Sequence, residues 1–115
     1  MSTIRARCAR SPTGHLHVGG ARTALFNWLF CRQSGGRLVI RVEDTDVKRN
    51  VAGAEVGLLE DLRWLGIEWD EGPDVGGEFG PYRQSARRAS YDAARDQLLA
   101  AGGAYYAFDT AAELD

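Results

Sequence analysis

Apolar and polar positions change period along this chain, and each change marks an element. Between Thr3 and Ala9, Ile4, Ala6 and Cys8 alternate with polar residues, the period-two pattern of a half-buried strand, and Ser11, Pro12 and Gly14 end it. Ala21, Ala24, Leu25, Trp28 and Leu29 then recur at i, i+3, i+4, i+7 and i+8, one face of a helix stopped by Gly35 and Gly36. The compact β-branched run RLVIRVE, from Arg37 to Glu43, predicts a second strand. Two strands joined through a helix are expected to lie parallel, as neighbours in a right-handed βαβ unit.

A second helix is expected after Asn50, with Asn50 as its cap, Val56, Leu59 and Leu62 on one face and Gly66 as its stop. The stretch IEWDEGPDVGGEFGPYRQS has glycines and prolines at irregular spacing, so it reads as a long loop with room for a short strand. Long ordered loops of this kind often carry function. A third helix is predicted from Ser85 to Ala101, with Tyr91, Ala94 and Leu98 inward and Gly102 and Gly103 ending it, followed by AYYAF as a short strand. The class is therefore α/β.

Composition narrows the setting. A length of 115 residues is one domain's worth, and 44% hydrophobic with 26% charged residues is ordinary globular usage. No apolar run approaches the roughly 20 residues of a membrane span. MSTIRARC has charge but no apolar signal core, which makes the cytoplasm the expected compartment. A formal charge of −2 and a pI near 5.7 argue against a broad electrostatic footprint on nucleic acid, so any such partner is held locally. Cys8 and Cys31 lack metal-type spacing and read as buried thiols.

The candidate chemistry sits between the two predicted strands. In parallel α/β sheets ligands gather beyond the carboxyl ends of the strands, facing the N-terminus of the following helix. Free N–H groups there favour an anion, and Gly19 and Gly20 let backbone approach it closely. His17 can donate to a phosphate oxygen, and one such preorganised donor is worth about 3–4 kcal/mol against developing charge. A strand, a glycine-rich turn and a helix are also widespread, and the spacing is neither the dinucleotide fingerprint nor a Walker loop. Phosphate binding and a plain structural turn therefore stand side by side on these grounds. His15, ahead of Leu16, is expected to face away, so no metal pair with His17 is expected.

Glu43, Asp44 and Asp46 place an acidic corner at the same rim. Asp44 and Asp46 suit either a ligand or a structural role, capping the next turn and pairing with Lys48 or Arg49. Glu43, at the end of an apolar strand, can hold an ammonium group, and Arg7 on the first strand can pair with a carboxylate. Ammonium, carboxylate and phosphate together describe an amino acid meeting ATP.

The segments SPTGHLHVGGARTALFNWL, RVEDTD, WLGIEWDEGPDVGG and GPYRQS resemble, in order and spacing, the N-terminal part of bacterial glutamyl-tRNA synthetases, which are class I aminoacyl-tRNA synthetases. The resemblance implies the N-terminal half of a Rossmann-like catalytic domain, parallel strands with crossover helices, over residues 1–115, truncated at the start of the acceptor-binding insertion. It implies a ligase that activates glutamate with ATP to glutamyl-adenylate and transfers it to tRNA(Glu). His17 and Gly19 then stand in the class signature, written HVGG here, as catalytic residues; with Gly20 and Thr13 they would also bind ATP. Arg7, Ala9, Ser11 and Glu43 match the glutamate pocket, Arg7 for the side-chain carboxylate and Glu43 for the α-ammonium. Magnesium accompanies ATP as substrate. Tyr82, Arg83 and Ser85 are a family marker that either fixes the loop against the third helix or touches ligand.

Departures from the pattern carry their own expectations. Arg10 stands where the family usually writes proline, and Gly20 replaces the signature's second histidine. Ala107 and Asp109 occupy places where some relatives carry zinc-site cysteines, so no zinc is expected. The lysine-rich loop, the second Rossmann half and the anticodon-binding domain of the family do not occur in these residues, so the chain alone is expected to charge tRNA weakly or not at all. An isolated half-sheet is also expected to present an apolar edge that invites self-association. Two alternatives stay open: a truncated paralogue that binds ATP, glutamate or a partner protein without catalysis, and a glutamate-activating tRNA-modifying enzyme. EDTD and DEGPDVGG favour the charging enzyme over the latter.

Overall fold

The computed structural model describes residues 4–114, so Thr3 lies outside the described residues. Strand β1 runs Arg5–Arg10, helix α1 Val18–Ser34, strand β2 Arg37–Val42 and helix α2 Ala54–Trp64. A single 3-10 turn at Ser85–Arg87 leads into α3, Arg88–Ala100, and a short α4 spans Ala111–Leu114. β1 and β2 pair in parallel, Arg7 opposite Val39 and Ala9 opposite Arg41, as the sequence predicts for strands joined through a helix.

Alternation decides what each face of this sheet does. Cys8, Leu38 and Ile40 point to one side, where they meet Ala24 and Cys31 of α1 and Leu58, Leu59 and Leu62 of α2, with Ile67 and Trp69 closing the core. The other side carries Arg5, Arg7, Ala9, Val39 and Arg41. Burial of the first face is the main stabilising contribution; each fully buried aliphatic side chain adds about 1.5–3 kcal/mol.

The long loop is more ordered than its glycines and prolines suggest. Ile40 N–H donates to Glu71 O at 2.8 Å, and Val42 N–H to Tyr82 O at 2.9 Å, so pieces of this loop pair along the outer edge of β2. The expected bare apolar edge is therefore covered on that side. Glu71, 1% exposed, anchors the loop from beneath: its Oε2 accepts from Arg5 Nη2 and from the Tyr82 hydroxyl, both at 2.6 Å. Gly77 (φ 142°) permits this, because a Cβ there would lie 2.3 Å from the Tyr82 hydroxyl.

Five local expectations are corrected. Asn50 does not cap α2: Gly53 holds that position in a left-handed conformation, and the Asn50 amide instead donates to Asp44 O at 2.8 Å. Val56 faces solvent, and Leu58 takes its place in the buried stripe with Leu59 and Leu62. Tyr91, Ala94 and Leu98 are exposed, since α3 buries no residue against the sheet. AYYAF forms no strand, and Tyr105, Tyr106 and Phe108 are exposed. In α1 the buried line is Gly20, Ala24 and Cys31, while Leu25 and Leu29 sit to its side, half-exposed.

Candidate active site at the strand tips

The turn between β1 and α1 is fixed at several points. Glu43 N–H donates to Arg10 O at 2.7 Å, extending the strand ladder by one residue. Val51 N–H donates to Pro12 O at 3.0 Å, and Leu16 N–H to Asp61 Oδ2 at 3.3 Å, tying the turn to the segment before α2 and to α2 itself. These bonds hold open a polar cavity of about 250 Å³ lined by Ala9, Arg10, Ser11, Thr13, His17 and Arg49, among others. It lies where the sequence places phosphate chemistry.

His17 caps α1. It sits in extended backbone (φ −90°, ψ 163°), and its Nδ1 accepts from Gly20 N–H at 3.2 Å, satisfying one of the free donors of the first turn. The ring is exposed to the cavity, as the expected contact with nucleotide requires. Gly19 is exposed beside it, whereas Gly20 is buried beneath the Arg10 guanidinium. His15 is exposed and also lines the cavity rather than facing away from it.

Arg7 and Glu43 lie on the same side of the sheet. Arg7 Nη1 is 3.6 Å from Glu43 Oε1, and Arg41 Nε donates to that same oxygen at 2.7 Å. Arg7 also lines a second cavity of about 210 Å³ with Arg5, Arg41, Phe79, Tyr82 and Arg87. Ala9, which lines the first cavity, is on the same strand face as Arg7 and about 7 Å further along the strand. Of the residues singled out in the sequence, Ala9, Ser11, Thr13 and His17 line the first cavity and Gly19 and Gly20 follow in the first turn of α1, while Arg7 lines the second cavity and approaches Glu43. Arg41 escaped the sequence reading, although its position two residues before Glu43 places both on one strand face.

The other acidic residues serve structure. Asp44 accepts from Ser85 N–H at 2.8 Å and from the Ser85 hydroxyl at 2.5 Å. Burial pushes the Asp44 carboxyl up, but the Ser85 hydroxyl and amide, its own backbone amide and the Arg83 guanidinium together outweigh burial and hold it below the usual carboxylate range. Asp46 pairs with Arg49 Nε at 2.5 Å, and that hydrogen bond lowers its pKa. Arg83 makes a bidentate pair with Glu55, which gives the family-marker segment a fixing role. With Glu43, Asp44 and Asp46 each engaged by protein donors, the corner does not fit a resident magnesium ion. Among the described residues no group of three or more His, Cys, Asp or Glu is arranged to hold a metal.

Comparison with known proteins places this arrangement. The profile of the family described as tRNA synthetases class I (E and Q), catalytic domain, matches residues 3–115. The chain belongs to that family. It is 60% identical over 112 residues to the glutamate–tRNA ligase of Lactobacillus delbrueckii subsp. bulgaricus, covering 97% of this chain and 22% of that protein. Identity to the glutamate–tRNA ligase of Lacticaseibacillus casei is 61% over 111 residues, 96% of this chain and 22% of the relative. The crystal structure of glutamate–tRNA synthetase from Elizabethkingia anophelis superimposes with a TM-score of 0.89 at 47% identity, covering 98% of this chain and 23% of that one. The chain therefore spans less than a quarter of the length of the relatives it matches, and its fold is the N-terminal, Rossmann-like half of their catalytic domain. Among the described residues no helix is long and apolar enough to cross a membrane.

Proposed function

We propose that this chain is the N-terminal portion, residues 1–115, of the catalytic domain of a cytoplasmic glutamate–tRNA ligase, and that it carries the amino-acid side and part of the ATP side of the active site. The observation that supports this most directly is the pairing of Arg7 on β1 with Glu43 just past β2, on one face of the sheet. Without ligand, Glu43 is satisfied by Arg41 and Arg7. Glutamate exchanges these contacts for its own: its α-ammonium takes Glu43, and its side-chain carboxylate takes the released Arg7. Ala9 and Ser11, which line the cavity of His17, complete the glutamate pocket in this reading. A neutral amide in place of that carboxylate leaves a guanidinium without a charged partner, which is the physical route to rejecting glutamine.

In the reaction, a glutamate α-carboxylate oxygen attacks the α-phosphorus of ATP, the bond from that phosphorus to the bridging oxygen breaks, and pyrophosphate leaves. The terminal ribose hydroxyl of tRNA(Glu) then attacks the acyl carbon and releases AMP. No side-chain nucleophile takes part, so positioning and charge stabilisation supply the rate. His17, Gly19, Gly20 and Thr13 hold the phosphates at the N-terminus of α1. Magnesium arrives with ATP as part of the substrate.

Calorimetry of the chain with L-glutamate and with L-glutamine tests the pocket. Glutamate is expected to bind, glutamine at least tenfold more weakly, and Arg7→Gln to abolish that preference. Equal binding of the two amino acids, or an Arg7→Gln variant that still discriminates, overturns the assignment. Pyrophosphate exchange in the same samples separates catalysis from simple binding: exchange shows that these residues form the adenylate, which the binding-module alternative does not allow.

A further inference from the structure

His17 and Arg10 meet in a way that neither residue satisfies alone. Gly20 N–H donates to His17 Nδ1, so the proton of the neutral ring lies on Nε2. Arg10 Nη2 lies 3.2 Å from that same Nε2. A guanidinium has donors and no acceptor, so two N–H groups face one another with no oxygen between them. Arg10 Nε is buried and has no partner either, and among the described residues Arg10 forms no ion pair. Arg49, on the same cavity wall, is already engaged by Asp46. Arg10 is the cation of this cavity left without an anion.

Its position follows from the strand. Arg10 shares the face of Ala6 and Cys8, which α1 covers, and at the carboxyl end of β1 that face opens onto the first turn of the helix. The guanidinium rests on Gly20: a Cβ there would lie 2.4 Å from Nη2 and 2.6 Å from Cζ. The absence of a side chain at Gly20 is what admits Arg10 to the cavity.

We propose that Arg10 is a phosphate-binding residue of this chain, its guanidinium and the Nε2–H of His17 converging on one oxygen of the nucleotide triphosphate in the space that Gly20 leaves open. The inference rests on the reading that this cavity takes ATP. A shared oxygen converts two opposed donors into two charge-assisted hydrogen bonds, and it neutralises a cation that the protein itself leaves unpaired.

Titration of the chain with inorganic tripolyphosphate, followed by calorimetry and by the side-chain nitrogen resonances of His17, tests it. Wild type is expected to bind, with Nε2 shifting on addition, and Arg10→Met to bind about tenfold more weakly while Arg10→Lys recovers part of the loss. Gly20→Ala should keep the fold, since alanine favours a helix and the displaced group is the end of a flexible side chain, yet weaken tripolyphosphate by a similar factor. The loss from Gly20→Ala should disappear in the Arg10→Met background. Unchanged or tighter binding by Arg10→Met, or an equal Gly20→Ala loss in both backgrounds, overturns the role of Arg10. If glutamate binds and Arg10→Met is indifferent, the inference fails and the proposed function stands; if neither glutamate nor tripolyphosphate binds the wild-type chain, both fail.

Discussion

α2 and α3 have similar lengths, 11 and 13 residues, and both are amphipathic, but they are held by opposite means. α2 buries Ala54, Leu58, Leu59 and Leu62 beneath the sheet; α3 buries nothing. The apolar face of β1 and β2 is already filled by α1 and α2, so a third helix finds no sheet surface to cover. Polar clamps hold its start instead: Asp44 on Ser85, the Arg87 guanidinium on Pro81 O at 3.0 Å, and Arg83 on Glu55 of α2. An amphipathic period therefore reports what a helix can bury, and the free sheet face decides whether it does.

The largest test of this contrast is a pair of truncations. Leu62→Ala, at a fully buried site, is expected to cost about 2–5 kcal/mol in urea unfolding. Leu98→Ala, half-exposed on α3, is expected to stay within about 0.5 kcal/mol. Comparable losses would break the distinction, because they would require α3 to be covered in solution.

The same contrast explains what was legible in the sequence. β1, α1 and β2 are readable because local period and tertiary burial agree there: Cys8, Ala24 and Ile40 are both periodic and buried. α1 is apolar nearly all round, so periodicity located the helix but not its buried line, which passes through Cys31 rather than Leu29. Asn50 looks like a cap, but its side chain is taken by Asp44 O, a contact no local pattern encodes. The pairing of Glu71 and Tyr82 segments with β2 was hidden among glycines and prolines, because isolated bridges need no strand-length run. At the site, Glu43 was readable from its place at the end of β2, whereas Arg7 sits in the middle of β1, opposite Val39, and meets Glu43 because both side chains share one face of the sheet. Arg10 was visible only as an irregularity, since its meaning depends on Gly20 ten residues away in sequence.

A middle-sized effect probes the hinge between the two regions, where Tyr82 leaves the loop and the chain turns toward α3. Tyr82 donates to buried Glu71 and accepts from Phe79 N–H at 3.1 Å. Tyr82→Phe leaves both partners short of a hydrogen bond and is expected to destabilise by about 1–3 kcal/mol. Burial, and then the hydrogen bond to Glu71, push the Tyr82 hydroxyl above its ordinary value. Its protonated form is thus the one the fold favours: the stabilisation is complete below about pH 10 and is lost as pH rises through the raised folded value. Alkaline titration followed by tyrosinate absorbance should show one late-ionising tyrosine, absent from Tyr82→Phe.

The smallest effect concerns the clamp itself. Asp44 is held below the usual carboxylate range, so its folded value lies under the unfolded value of about 3.9. A depressed carboxyl contributes stability that is present above the unfolded value and is lost as pH falls through the folded one. The contact between Asp44 and Ser85 should therefore be constant from pH 5 to 8 and release only below about pH 4. The group is partly exposed, so the contribution is expected to remain within about 1 kcal/mol. Hydrogen exchange separates the regions: the Ser85 amide should lose protection on acidification before the Ile40 amide, which is bonded to Glu71 O inside the core. Asp44→Asn should lower Ser85 protection at neutral pH and remove this early acid step, leaving Ile40 unchanged. Simultaneous loss at both amides would mean that the clamp and the core open as one unit, and that α3 belongs to the packed half after all.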